Sequence, residues 1–206
     1  MLKESAEIRL RAVIGLGNPG KHYADTKHNA GFSVLDSLLE MLFKKNEYKQ
    51  GFNGLYFKAR IGGHLIFLLK PLTFMNLSGN SVFTLCRKEK INPEEIMVVY
   101  DDMDIPLGKI RIRRHGGSAG HNGVESIITR LNSNKFARLR IGIGRGPSTN
   151  TVDHVLSEFS LNEKEIFNKV IGLSVAAIRL SLHRGIQKAM NEYNSQIIDN
   201  IEKTTN

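Results

Sequence analysis

Apolar, branched runs recur near 8–15, 54–61, 64–70, 96–100, 109–113 and 137–143, and their composition predicts six strands. Helical patterns lie between many of them. Phe32, Leu35, Leu39 and Leu42 fall at helical spacing and predict a helix from Asn29 to Lys44, with Lys44 and Lys45 suited to its C-terminal dipole. A second helix opens near Asn122, where Val124, Ile127, Ile128 and Leu131 share one face, and Ser78 and Ser81 begin another that contains Val82 and Leu85. Asn92, Pro93, Glu94 and Glu95 read as a short capped turn feeding the strand IMVVY. Ser160 and Glu163 form a capping box for a final helical region over 160–193. Gly146 to Thr151 reads as a loop. Strands alternating with helices predict an α/β fold in one domain over 1–195, with a polar tail over 196–206 that frays.

Composition narrows the partners. The chain has 206 residues and 41% hydrophobic content, enough for one sizeable core. Its 29 Lys and Arg against 20 Asp and Glu leave a net charge of +9, which favours a polyanion: RNA, DNA or an acidic membrane surface. The single Cys86 rules out an internal disulfide and reads as a reduced, buried thiol, which fits the cytosol. The start, MLKESAEIRLRAV, lacks a secretory apolar core, and runs such as LIFLL are too short to span a bilayer, so a soluble protein is expected.

Chemistry concentrates at strand ends. Asn18 follows the first strand, Met75 and Asn76 follow the run ending LLK, Asp101 follows IMVVY, and Asn122 opens a helix after a glycine loop. Carboxyl ends of parallel strands form the crevice in which open α/β sheets bind ligands, so these residues converge if the strands are parallel. A preference of Asn and Asp for turns explains any one of them, but explains four plus His28 less well. His28 suits general-base work, and Asp101 is placed to fix its tautomer. The asparagines offer neutral amides for a developing oxyanion, a water or a substrate amide.

Several alternatives fail on spacing. Gly15, Gly17 and Gly20 satisfy GxGxxG, but Pro19 interrupts the point where the helix should open and Asp36 falls inside a helix, so a dinucleotide site is rejected. The glycines read instead as a tight turn exposing Asn18. Seven scattered histidines, His121 among them, show no HxH or HxxxH pair, so no metal is expected. No GxSxG elbow occurs. Lys109, Arg111 and Arg113 alternate against Ile110 and Ile112, and Arg138 and Arg140 lie opposite Leu139 and Ile141. If the two strands are neighbours, their basic faces form a patch for phosphates, supported by Arg114, Arg184 and Lys188.

VIGLGNPGKHYADTKHNAGF, KPLTFMNLSG, VVYDDMDIPLGKIRIR, GGSAGHNG and FARLRIGIG together, in this order, resemble the bacterial-type peptidyl-tRNA hydrolase family across roughly 9–160. The resemblance implies a monomeric α/β/α sandwich around a mostly parallel mixed sheet, and hydrolysis of the ester joining a peptide to the 3′ end of tRNA. It implies His28 as the base that activates water, Asp101 as its partner, and Asn18, Asn76 and Asn122 as positioning amides. Tyr23 and Met75 would line the pocket, and Arg113 and Arg140, with Arg111 nearby, would grip the tRNA 5′ phosphate. The segment 152–159 would be a mobile lid, and the C-terminal helix would add RNA contacts. Peptidyl-tRNA is the implied partner, with no cofactor, metal, DNA or membrane, in the cytoplasm. Lys27 stands where arginine is common, and Ala119 where glycine often occurs. A noncatalytic RNA-binding relative of this fold would lack the polar set, and a nucleotide-dependent enzyme would show heat on titration with NAD or ATP.

Overall fold

A computed structural model of the chain describes residues 8–44, 47–146 and 150–198. Its strands are β1 (Ala12–Gly15), β2 (Lys49–Gly51), β3 (Gly54–Ile61), β4 (His64–Pro71), β5 (Ile96–Asp102), β6 (Ile110–Arg113) and β7 (Ala137–Gly142). They form one sheet in the order β2-β3-β4-β1-β5-β7-β6. The central four, β4, β1, β5 and β7, run parallel, while β2, β3 and β6 are antiparallel additions at the edges. The helices are α1 (Ala30–Phe43), α2 (Ser78–Glu89), α3 (Asn122–Leu131), α4 (Thr151–Leu156), α5 (Leu161–Arg184) and α6 (Ile186–Tyr193).

Side chains alternate across the central strands, so each strand feeds two cores. Val13, Leu68, Met97, Val99, Leu139 and Ile141 pack toward α1, α5 and α6, whereas Ile14, Phe67, Leu69, Val98 and Tyr100 pack toward α2 and α3. The result is an α/β/α sandwich. Each fully buried Leu, Ile or Val adds about 1.5–3 kcal/mol, and burial on both faces explains why these strands read as nearly unbroken apolar runs. By length and composition α5 also meets the test for a membrane-crossing helix, but Phe167, Val170, Val175, Ala177 and Ile178 are buried on its inner side, where it packs on α1.

Five of the six predicted strands match closely in place, and the first is shorter than expected because regular pairing begins only at Ala12. The three-residue edge strand β2, sequence KQG, carries no apolar pattern and was not predicted. The expected capping box of Ser160 with Glu163 forms, and the capped turn at 92–95 is a second one, Asn92 pairing with Glu95. The final helical region is two helices, since Gly185 sits at a φ of 84° between α5 and α6. Thr151, read as loop, is the first residue of α4, with Asn150 as its N-cap. In the described part of the tail, the Ile198 N–H donates to the Gly108 carbonyl at 2.8 Å; residues 199–206 lie outside the described residues, as does Lys45.

The glycines after β1 serve close packing. A Cβ on Gly31 would overlap the Val99 carbonyl and the Leu16 backbone, and one on Gly15 would overlap the Gly31 carbonyl. Asn18 is therefore 8% exposed, held inside rather than presented on a turn as the sequence reading had it. Gly31→Ala is expected to cost about 1–3 kcal/mol by overpacking and to lower the midpoint of thermal unfolding by about 2–12 °C. An unchanged midpoint in a thermal melt would show that the contact can relax.

Candidate active site

Three chain segments meet at the carboxyl end of β5. His28 lies in a 3-10 turn, Lys27–Asn29, immediately before α1, and His121 is the residue from which α3 starts. Asp101, near the end of β5, is 2% exposed. The His28 Nδ1 lies 2.9 and 3.0 Å from the two Asp101 carboxylate oxygens, and the His121 Nε2 lies 3.3 Å from Oδ1. The imidazole rings stand 5.0 Å apart, and Tyr100 covers His121 edge-on at 4.8 Å. Burial alone would raise the Asp101 carboxyl, but the charge of His28 and the hydrogen bonds from His121 and His28 outweigh it and hold the group well below the usual carboxylate range.

Tautomers follow from the partners. The His121 Nδ1 accepts the N–H groups of Gly123 and Val124 at 3.2 and 3.3 Å, which caps α3. That nitrogen must therefore offer a lone pair, so Nε2 carries the hydrogen and donates it to Asp101. His28 likewise donates Nδ1–H to Asp101, which leaves its Nε2 as an acceptor. His28, Asp101 and His121 place one ligand atom each within 4.8 Å of one another, the spacing of a metal cluster. The donor set does not fit an ion: a metal on the His121 Nε2 would move the hydrogen to Nδ1, directly against two backbone N–H donors.

The cluster opens on a cavity of about 300 Å³ lined by His28, Asp101, Asp102, Gly120, Asn122 and, from α4, Val152. Asn122 is exposed there as the first residue of α3. Asn18, Tyr23, Met75 and Asn76 do not line this cavity. Asn18 is tied to His28 through its neighbour Asn29, whose Oδ1 accepts the Asn18 N–H at 2.7 Å and whose Nδ2 donates to the Asn18 carbonyl at 3.1 Å. The Asn18 Oδ1 in turn accepts the Met75 N–H at 2.8 Å. Met75 is buried against Gly123. Tyr23 is half-buried at the end of a short 3-10 turn, and Asn76 is exposed.

The two basic strands are neighbours. β6 and β7 pair antiparallel, Arg111 opposite Arg140 and Arg113 opposite Arg138. Arg113, Arg114, Arg138 and Arg140 line a cavity of about 670 Å³ with Tyr100 and the glycine loop, whereas Arg111, Arg184 and Lys188 do not. The Arg140 Nε donates to the Asp102 Oδ2 at 2.5 Å. Burial opposes the Arg140 charge, but the hydrogen bond and charge of Asp102 outweigh it and raise its pKa. Arg138 borders that cavity but is not open to a phosphate as expected. It is buried, its guanidinium donates to the carbonyls of Asn134, Phe136 and Gly116, and it lies 4.2 Å from the centre of the Phe136 ring. Its charge holds two loops together.

Known proteins resemble this chain in sequence and in fold. A family model described as peptidyl-tRNA hydrolase matches residues 12–202. The chain belongs to the peptidyl-tRNA hydrolase family. A peptidyl-tRNA hydrolase of Clostridium botulinum (strain Hall) is 46% identical over 187 residues, 91% of this chain and 98% of the relative. One of Desulfitobacterium hafniense (strain Y51) is 44% identical over 186 residues, 90% of this chain and 100% of the relative. A crystal structure of peptidyl-tRNA hydrolase from Acinetobacter baumannii matches with a TM-score of 0.86 at 36% identity, covering 94% of this chain and 98% of that one. A peptidyl-tRNA hydrolase in complex with N-propanol matches with a TM-score of 0.88 at 34% identity, covering 95% of this chain and 100% of that one.

In this peptidyl-tRNA hydrolase sequence, His121 and Asp102 escaped the residue-by-residue reading. His121 looked like one histidine among seven, and only its place just ahead of a helix of high amphipathicity signalled a cap. Because folding depresses the Asp101 pKa, its contribution to stability is complete above the unfolded value of about 4 and is lost as pH falls through the folded value. Urea unfolding at a series of pH values is expected to show Asp101→Asn flattening the loss of stability below about pH 4. Equal slopes in both proteins would mean that the carboxylate is not held by the two imidazoles.

Proposed function

We propose that this chain hydrolyses the ester between the peptide and the 3′ end of tRNA in peptidyl-tRNA, and so returns tRNA from prematurely released peptides. The observation that carries this reading is the buried Asp101 carboxylate holding the His28 Nδ1–H, which leaves the His28 Nε2 as a proton acceptor beside a polar cleft. Membership of the peptidyl-tRNA hydrolase family supports the substrate class.

In the proposed step the His28 Nε2 takes a proton from water as the water oxygen attacks the ester carbonyl. The Asn122 carboxamide, which lines the cleft, donates to the carbonyl oxygen as it becomes negative or holds the water, and Asn18 and Asn76 are assigned to the peptide beyond it. Collapse of the tetrahedral adduct expels the ribose oxygen, which takes the proton back from His28. General-base help of about 10²–10⁴ and an oxyanion donor worth about 10²–10³ suffice for an activated ester, so the step needs no metal or cofactor. Tyr23 and Met75 shape the neighbouring wall. Arg113 and Arg140, with Arg111 beside them, take a tRNA phosphate, the 5′ one by resemblance to the family, and the scarcity of aromatic rings among these charges favours a backbone or terminal phosphate over stacked bases. The enzyme acts as a monomer in the cytoplasm, and its partner is this RNA rather than DNA or a membrane.

His28→Ala is expected to lower turnover of purified peptidyl-tRNA by at least about 10², with tRNA binding nearly intact and wild-type turnover insensitive to chelators. Unchanged turnover in the variant would overturn the assignment. Arg140→Ala is expected to weaken capture and to flatten its salt dependence by about one counterion. An identical slope in a binding titration would remove Arg140 from the RNA surface.

A further inference from the structure

Lys27 adjoins His28 in the same turn, yet the hydrolytic step gives it no task. It is 5% exposed. Lysine is seldom buried, because removing an ammonium group from water costs several kcal/mol unless it is paired. Its partners lie on the chain that leaves α4. The Lys27 Nζ donates to the Ser157 Oγ at 3.3 Å, lies 3.5 Å from the Glu163 Oε1, and sits 5.5 Å from the centre of the Phe159 ring. The backbone doubles the link: the Lys27 N–H donates to the Ser157 carbonyl at 3.0 Å, and Thr26 bridges Glu158.

Both anchor points are themselves fixed. Ser157 ends α4, where its Oγ donates to the His154 carbonyl at 2.7 Å. Glu163 is held by the α5 capping box, its Oε2 accepting the Ser160 N–H at 2.8 Å, so its Oε1 faces Lys27 as a stationary acceptor.

The helix so tethered is short and poorly backed. Six residues cannot sustain a helix by themselves, so α4 persists by docking. Thr151, Val152 and Val155 line the catalytic cavity, while Asp153, His154 and Ser157 line a second cavity of about 380 Å³ with Lys27 and Glu163. A thin wall with space on both sides depends on its polar ties. Among the described residues these include the Lys27 links at one end and, nearer the middle, the hydrogen bond of the His154 Nε2 to the Gly144 carbonyl at 2.8 Å.

We propose that Lys27 is a positioning residue that clamps the end of α4 to the turn bearing His28, and so sets the wall against which the substrate binds. Its effect falls on substrate affinity, because His28 is held independently through Asp101 and through the Asn18–Asn29 pair. The kinetic part rests on the peptidyl-tRNA reading above.

The test is steady-state kinetics on peptidyl-tRNA together with amide hydrogen exchange, in wild type, Lys27→Met, Lys27→Arg and Glu163→Gln. Lys27→Met is expected to raise KM about tenfold, the scale of one lost charge-assisted hydrogen bond, with kcat within about twofold. Lys27→Arg restores KM, since it returns the cation to the same acceptors. Glu163→Gln keeps the cap on Ser160, removes the charge opposite Lys27, and gives a smaller rise. Exchange of the 152–157 amides accelerates in Lys27→Met, while that of β5 does not. The proposal is overturned by wild-type KM and exchange in Lys27→Met, by loss of kcat at constant KM, or by failure of Lys27→Arg to rescue. If Lys27→Met does not fold, Glu163→Gln decides by the same measurements. If wild type leaves peptidyl-tRNA intact, the functional reading fails, and exchange still judges the clamp.

Discussion

A carboxylate sealed from water must find its compensation inside the protein, and the architecture around Asp101 is arranged to supply it. Two imidazoles reach it, one from the turn before α1 and one from the residue capping α3. Those helices lie on opposite faces of the sheet, and only the end of a central parallel strand is within reach of both. The carboxylate thus links the two layers and fixes two tautomers at once. One of the two histidines is engaged at both nitrogens. Among the described residues the other has a partner at one nitrogen alone, and that difference separates the proposed base from its support.

Close backbone approach makes the arrangement possible. Gly15 and Gly31 let β1, the start of α1 and β5 pack with no side chain between them, which carries His28 to the level of Asp101. The loop before α3 meets a different demand: Gly120 and Ala119 both adopt positive φ, at 82° and 48°, so that the chain turns sharply into His121. Alanine tolerates that conformation at a cost of about 1 kcal/mol, which packing around the site must offset.

The basic edge shows how burial assigns roles to like residues. Arg138 and Arg140 sit two positions apart on β7 and share a sheet face. Arg138 is enclosed and turns its Nη1 and Nη2 donors to backbone carbonyls, while Arg140 is partly open and is steadied through Nε by Asp102. Asp102 follows Asp101 directly, so one strand end orients the proposed base on one side and a candidate phosphate ligand on the other. Lys27 extends the same economy of position, joining the turn of His28 to the helix that walls the cleft.

Local spacing alone determined much of this protein. Helical periodicity, branched runs and the two capping boxes are set by interactions a few residues apart, so the α/β class, most elements and the polar residues at strand ends were legible in the sequence. The alternation of Arg111 and Arg113 likewise announced a basic face. Tertiary structure decided which of these residues meet. His28 and Asp101 are 73 positions apart, and their contact depends on strand order and on the parallel register of β1 with β5, neither of which has a local signature. The burial of Arg138 and Lys27 and the second imidazole on Asp101 were invisible for the same reason. Whether a polar group is enclosed, and what then compensates it, is a property of the packed layers rather than of neighbours along the chain.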